Sequence, residues 1–434
     1  MSVDLAQVAQ ERNISYFLIS FSDMFGVSRS KLVPAQAIGE MQKTGAGFAG
    51  FASWLDMTPA HPDMFAIPDT SSLTQLPWKP EVAWVAADLW MDGKEVEASP
   101  RVMLKRQLKK AEEHGYRLKT GVECEYFLVN ADGTALSDSR DTQEKPCYDQ
   151  SALMRRFDVI REICDAMMTL GWGPYQNDHE DANGQFEMNW DYDDALVTAD
   201  RHTFFKFMVK TIAEKHGVRA TFMPKPFLHL TGSGCHVHAS LWTLDGTQNL
   251  FEGNDEMGLS QLAYHFLGGV FHSAEALCAF FNPTVNSYKR INAPRTSSGA
   301  TWAPNTVTYG GNNRTHMVRI PDKGRFEFRL MDGAANPYLM QAALLAAGLD
   351  GIANKRNPGK RLDIDMYANG HKVKGTKKLP LYLIDAIRNL DRCKVLNDAF
   401  GRETVQSYVK LKTNEWNSFS RHLTQWERDT TLDC

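Results

Sequence analysis

The sequence predicts an α+β protein in two parts, a small strand-rich N-terminal unit over residues 1–97 and a larger unit over residues 98–434. Three observations carry this. Short runs rich in β-branched and aromatic residues crowd the first part (YFLISFSD, VSRSKLVP and VAWVAADLW) and close on the turn signal MDGKEV. A new element then starts at Ala98-Ser99-Pro100, where Ser99 is a candidate N-cap and Pro100 suits the first helical position. Beyond it, helical periods alternate with strand-like segments, without a repeat or low-complexity tract.

Taken in order, the loop GAGFAGFASWLDMTPAHPDMFAIPDTSS between the early strands is dense in Gly, Ala, Pro and aromatics, a composition suited to a binding edge or an interface. RVMLKRQLKKAEEHG reads as a basic amphipathic helix closed by Gly115, and the domain boundary is placed just before it. Further helices are expected over 151–170, 198–217, 258–279 and 336–353, with two more near the C-terminus.

Bulk properties narrow the function. A chain of 434 residues that is 43% hydrophobic can bury a large core. Its 48 basic and 52 acidic residues nearly cancel, so a net charge of -4 offers no global attraction to nucleic acid or to an anionic membrane. The opening MSVDLAQVAQERN lacks the apolar core of a signal peptide and the Arg-rich look of a transit peptide, and no run approaches 18 apolar residues. A cytoplasmic protein is expected. Seven scattered cysteines without a CxxC pair suit reduced thiols and no structural metal.

Three strand-like segments carry the chemistry. In VECEYFLV, alternation puts Glu123 and Glu125 on one face. In CHVHASLW it aligns His236, His238, Ser240 and Trp242, and in RFEFRL it aligns Arg325, Glu327 and Arg329. A solvated charged face is the ordinary reading of any one such strand. Three together favour a site, because neighbouring acids repel unless a cation lies between them. A fourth segment, HEDANGQFE, sets Glu180 and Glu187 around a Gly-containing loop able to fold both toward one point; an acidic surface turn is the alternative. Acids with one or two imidazoles suit Mg²⁺ or Mn²⁺ better than zinc, and hard cations beside arginines point to phosphate chemistry.

The strings ECEYF, HEDANGQFE, GSGCHVHASLW, NPTVNSYKR, NNRTHMVRIP and GRFEFRLMDGAANPYL, in this order, resemble the glutamine synthetase family over most of the chain. The resemblance implies a β-grasp N-terminal domain and a catalytic domain with a curved antiparallel sheet flanked by helices. It also implies a homo-oligomeric double ring, a dodecamer, with active sites between neighbouring subunits. ATP and glutamate become the expected substrates, joined with an amine through a γ-glutamyl phosphate. Two divalent ions are implied, one for Glu125, Glu180 and Glu187 and the other for Glu123, His236 and Glu327. The nucleotide falls near His238, Ser240 and Arg325. Arg290 and Arg329 match the glutamate binders, with Thr231 and Gly232 beside them, and Arg314 and Arg319 match the phosphate-side arginines.

Four departures from the family pattern stand out: one at the amino-acid substrate, one at a modifiable tyrosine, and two at the amine. Thr231 stands where the family usually writes Asn. Tyr367 of DMYANG is followed by the basic HKVKGTKK rather than an acidic run, which argues against adenylylation there. The ammonium-capturing acid before an Ala-Pro is replaced by Thr301-Trp302 ahead of Ala303-Pro304, and its N-terminal partner acid by Ala49. Trp302 thereby offers a hydrophobic wall and a π-face to an alkylammonium ion, so methylamine is the expected amine. Ammonia remains the alternative, with Asp56 supplying the missing carboxylate, and a polyamine is a third. A non-catalytic structural or regulatory role is the reading from another class. It conflicts with the retention of six ligand-type residues that repel one another without ions.

Overall fold

The computed structural model describes residues 3–299 and 301–434, so Met1, Ser2 and Ala300 lie outside the described residues. The strand-rich segment forms a sheet of its own. Strand Tyr16–Ser22 pairs antiparallel with Ser28–Pro34 on one side and parallel with Val82–Met91 on the other. Met64–Pro68 and then Ala46–Phe48 extend the sheet beyond Val82–Met91. The MDGKEV turn signal holds: Asp92 and Gly93 both take positive φ, and Val82–Met91 folds back onto Lys94–Glu95. Helices Leu5–Glu11 and Ala35–Thr44 pack beside this sheet. The first of them sits in the polar N-terminal stretch and is capped by the Asp4 carboxylate, which accepts from Ala6 N and Gln7 N.

Pro100–Glu113 is helical with Pro100 in its first turn, but the Ser99 side chain makes no capping hydrogen bond. Its buried Arg101 is the more consequential residue. Arg101 donates to Asp69 and Asp88 of the N-terminal segment, at 2.9 and 2.8 Å, and to Asp200 of helix Ala195–Lys215, at 3.0 and 2.9 Å. Tyr338 of helix Pro337–Ala353 donates to the same Asp200 at 2.7 Å. One guanidinium therefore ties the N-terminal sheet to the helices behind the site.

Two sheets follow. The larger runs in the order Asp193–Asp194, Arg117–Cys124, Cys235–Trp242, Phe326–Phe328, Val318–Arg319, Tyr309–Gly310, antiparallel except for its last pair. A second, four-stranded sheet takes Gln176–His179, Gln185–Asn189, Tyr126–Val129 and Arg219–Thr221. VECEYFLV is thus not one strand: it breaks at Glu125 and passes from one sheet to the other. The expected 151–170 helix is likewise two, Gln150–Arg155 and Phe157–Thr169, and four helices rather than two follow residue 380.

Behind the larger sheet, helix Pro337–Ala353 packs on Pro100–Glu113, Ala195–Lys215 and Gln261–Phe281. A Cβ at Gly269 would lie 2.0 Å from Ala347 O and 2.5 Å from Gly351 N, so helices Gln261–Phe281 and Pro337–Ala353 approach closely only because glycine stands there. One continuous apolar cluster runs from Leu5 to Leu411 through both parts of the chain.

Removing Arg101 leaves three carboxylates around a buried space without their cation. Arg101→Ala is expected to cost about 3–5 kcal/mol, read as an earlier urea midpoint. Lys105→Ala, which removes a partly exposed partner of Asp88, is expected to shift the midpoint by about 1 kcal/mol or less. Equal shifts in the two variants would contradict this account.

Candidate active site

The break at Glu125 aims two sheets at one cavity of about 410 Å³. Glu123 and Glu125 line it, as alternation predicts, although a change of sheet rather than a continuous strand brings them together. Glu125 is fixed at the junction: its Oε2 accepts from Gly234 N at 2.7 Å and from Gln185 Nε2 at 3.0 Å, and its own N–H donates to Gly234 O. HEDANGQFE forms the turn of a hairpin in which Asp178 pairs with Glu187, and Glu180 and Glu187 both line the cavity. Asp141 shapes that turn by accepting from Gly184 N, Asn183 Nδ2 and His179 Nε2. Gly184 has φ +72 and a Cβ there would meet Leu136 at 2.9 Å, so both conformation and space select glycine.

Strand Cys235–Trp242 lies between Arg117–Cys124 and Phe326–Phe328, with His236 opposite Glu123. His236 Nδ1 is 3.4 Å from Glu123 and 3.7 Å from Glu327, and its Nε2 is 4.0 Å from Glu125. Glu123, His236 and Glu327 therefore converge, as do Glu125, Glu187 and His236, and Asp178, Glu180 and Glu187. Every residue the sequence pointed to as a metal ligand falls in one of these groups. Asp178 is an addition: it lies on strand Gln176–His179, two residues before Glu180, which follows the strand's end.

The charges separate into two kinds. Burial pushes the Glu327 carboxyl up, but Arg329, His236, His238 and Arg319 outweigh it and hold the group down to about 2. Arg319 Nη1 is 2.5 Å from Glu327, and Arg329 donates to its other oxygen. Glu123, also buried, is held low by hydrogen bonds from His236 and His238. Asp178 has only His179 against it: burial, then Glu125 and Glu123, raise it to about 6. Burial and neighbouring acids likewise raise Glu180 and Glu187 well above the ordinary range. Such a donor set, all oxygen with one imidazole and short of cations on the hairpin side, fits hard divalent ions.

The remaining residues divide between this cavity and a neighbour. Arg290, Arg314, Arg319, Arg329, Thr231, Gly232 and Trp302 all line the first cavity. Arg290 donates to the Leu330 and Arg329 carbonyls, which sets its direction. His238, Ser240 and Arg325 instead line a second cavity of about 300 Å³, to which Glu123 also contributes. There His238 bonds Glu123 at 2.9 Å, Arg325 approaches His238 at 3.1 Å, and Ser240 accepts from Trp242 Nε1. The single face of Cys235–Trp242 predicted from alternation thus runs through both cavities. Asp56 lies in neither; it pairs with Lys410 at 2.7 Å, so within this chain it does not replace the missing acid.

Two adjoining cavities, one crowded with carboxylates and arginines and one with aromatic faces and cations, define an enzyme that handles phosphate and carboxylate groups together. The family model "Glutamine synthetase, catalytic domain" matches residues 97–431, and the chain belongs to the glutamine synthetase family of ATP-dependent carbon–nitrogen ligases. It is 64% identical over 434 residues, the whole of both chains, to "Glutamine synthetase" of Rhizobium leguminosarum bv. phaseoli. It is 41% identical over 437 residues, 98% of each chain, to "Glutamate--methylamine ligase" of Methyloversatilis universalis. A solved structure described as "GmaS/ADP complex-Conformation 1" is 64% identical, covers both chains fully and superposes with a TM-score of 0.97. No helix among the described residues is long and apolar enough to cross a membrane.

The charge pattern has a pH consequence. A carboxyl raised from 3.8 to about 6, as Asp178 is, favours the folded chain when protonated, and that contribution is lost as pH rises through 6. Glu327 works oppositely: lowered from 4.5 to about 2, its contribution is complete above 4.5 and vanishes only below it. EDTA-treated protein is therefore expected to melt lower at about pH 7 than at about pH 5, and added Mg²⁺ to raise the melting temperature more at the higher pH. Glu187→Gln, which removes one buried like charge, should raise the metal-free melting temperature and blunt the Mg²⁺ response. A Mg²⁺ response independent of pH would contradict the assignment.

Proposed function

We propose that this ligase joins the γ-carboxyl of glutamate to methylamine, giving γ-glutamylmethylamide. The observation that carries the reading is Trp302: its side chain lines the carboxylate-rich cavity, and in the sequence it directly precedes Ala303-Pro304, before which the family pattern writes an ammonium-binding acid. Its ring meets the Tyr367 ring edge-on at 6.4 Å, so the wall beside the amine is aromatic. Ammonium offers four N–H groups and no carbon; methylammonium offers a methyl group that such a wall shields from water. The similarity to a glutamate–methylamine ligase and to the GmaS complex points the same way. The 64% relatives that carry the name glutamine synthetase favour ammonia, which is the second reading.

In this proposal Arg290 and Arg329, beside Thr231 and Gly232, hold the glutamate carboxylates, and the nucleotide occupies the second cavity near His238, Ser240 and Arg325. The aromatic face of Trp242, with Lys119 Nζ 4.2 Å from its ring centroid, suits a planar base with phosphates nearby. Glu125, Glu180 and Glu187 would hold one Mg²⁺ or Mn²⁺, and Glu123, His236 and Glu327 another. When bound, these ions offset the charge that gathers on a phosphoryl group in transfer. The γ-carboxylate takes the γ-phosphoryl group of ATP, releasing ADP. The amine, once its ammonium form has given up a proton to a carboxylate of the cavity, adds its nitrogen to the acyl carbon, and phosphate departs carrying the second N–H proton as hydrogen phosphate. Arg314 and Arg319 stabilise the phosphate oxygens through both steps.

The proposal keeps the division at residues 97 and 98, and a homo-oligomeric double ring in which a neighbour's N-terminal loop completes each site. The exposure of Phe51 (51%) and Trp54 (46%) on that loop supports such a contact.

The test is phosphate release with ATP, Mg²⁺ and glutamate against ammonium, methylamine, ethylamine and putrescine. Catalytic efficiency should be highest for methylamine; a maximum at ammonium would replace the amine assignment and leave the ligase intact. Glu125→Ala and Glu327→Ala should each abolish release while leaving the far-ultraviolet circular dichroism unchanged, and EDTA should inhibit reversibly. Trp302→Glu should lower the methylamine-to-ammonium ratio by several-fold, since burying one methyl is worth about 1 kcal/mol and each 1.4 kcal/mol is about tenfold. An unchanged ratio would place Trp302 outside the amine site.

A further inference from the structure

The acid that the amine side lacks in the sequence pattern is present in the structure, on a different segment. Asp181 follows Glu180 in the turn of the Gln176–Asn189 hairpin and lines the same cavity as Thr231, Thr301 and Trp302. Three donors converge on one of its two oxygens. Thr231 Oγ1 donates to Oδ2 at 2.9 Å, Trp302 Nε1 donates to it at 2.7 Å, and the Ser298 hydroxyl donates to it as well. Asp181 Oδ1 receives no hydrogen bond from any of the described residues.

This arrangement is asymmetric in a useful way. Asp181 is half-buried in the cavity wall, with one oxygen committed to the Trp302 loop and the other left without a donor from the described residues. Trp302 itself has φ 53, a conformation that an L side chain adopts only when its surroundings impose it, and the indole N–H bond to Asp181 is one such constraint. The same contact sets an anionic oxygen and an apolar ring side by side. Those are the two features of a primary alkylammonium ion: N–H groups that seek an anion and a carbon chain that seeks an apolar surface.

We propose that Asp181 and Trp302 together form the receiving subsite for the cationic amine, with Asp181 Oδ1 accepting an N–H and the indole covering the alkyl group. The inference rests on the ligase reading above. It divides the labour: Asp181 sets affinity for any protonated amine, and Trp302 sets the preference among amines.

The experiment measures KM and kcat for methylamine, ammonium, glutamate and ATP in wild type and variants, with melting temperatures recorded. Asp181→Asn should raise the KM of methylamine and of ammonium together, on the order of tenfold or more, with the KM of glutamate and ATP and the Mg²⁺ half-saturation within about twofold of wild type. Asp181→Glu should recover part of the amine affinity. If the Asn variant does not fold, Asp181→Gln against Asp181→Glu carries the same comparison, since the two differ by charge alone. Ser298→Ala removes one donor to Oδ2 and leaves Oδ1 in place, so it should move the amine KM by about threefold or less. An unchanged amine KM in folded Asp181→Asn overturns the inference. So does a rise in Ser298→Ala equal to that in Asp181→Asn, which would make Asp181 an anchor of the loop only. A wild type without amine-dependent phosphate release would overturn the ligase reading itself, a result distinguishable from both.

Discussion

Electrostatic repulsion among carboxylates is the constraint around which this structure is arranged. Seven acids line one cavity, Glu123, Glu125, Asp178, Glu180, Asp181, Glu187 and Glu327. No single strand or helix can present so many to one point. The solution is to bring them from two sheets that meet at Glu125, with a hairpin whose turn is held by Asp141. Part of the charge is met by protein cations: Glu327 lies against Arg319 and Arg329, and Glu123 against His236 and His238. The hairpin side meets far less positive charge from the protein, and burial with neighbouring acids raises its carboxyls.

Holding repelling groups requires a stiff frame. Helices Gln261–Phe281 and Pro337–Ala353 press together through glycine, and Thr120 of the site's own strand donates to Gln341 of the second helix at 2.8 Å. The Arg101 cluster extends that frame to the N-terminal sheet. A site that must tolerate binding and release of ions and phosphates is backed by a core that does not adjust.

Much of the site was legible because alternation in a strand survives into space. His236, His238 and Ser240, and likewise Glu327 and Arg329, face the cavities on the side that the period of two assigned. What alternation hides is the change of sheet at Glu125, since a backbone hydrogen bond to Gly234, a residue far along the chain, decides it. Asp178 and Asp181 do not stand out in the sequence for a related reason. In an acidic run such as NDHED, only tertiary partners distinguish the carboxylates that face inward from those that face water. Thr231, Ser298 and Trp302, which single out Asp181, lie some 50 to 120 residues away in sequence. The Ser99 cap failed where propensity alone was the guide, and the 151–170 helix missed its break at Arg156.

The residues around the cavity also differ in what supports them. Of the groups suited to metal and phosphate, Glu123, Glu187, His236, Arg319 and Glu327 sit on strands whose neighbours are fixed by ladder hydrogen bonds, and Glu125 sits at the junction of two of them. The wall proposed for the amine is built otherwise: Thr231, Ser298 and Trp302 belong to loops, and Asp181 to a turn. A loop can exchange side chains without disturbing sheet register. On the proposed assignment, substrate choice and chemical competence rest on different kinds of scaffold, so rewriting a few loop positions would alter the amine while leaving the sheets that carry the acids undisturbed.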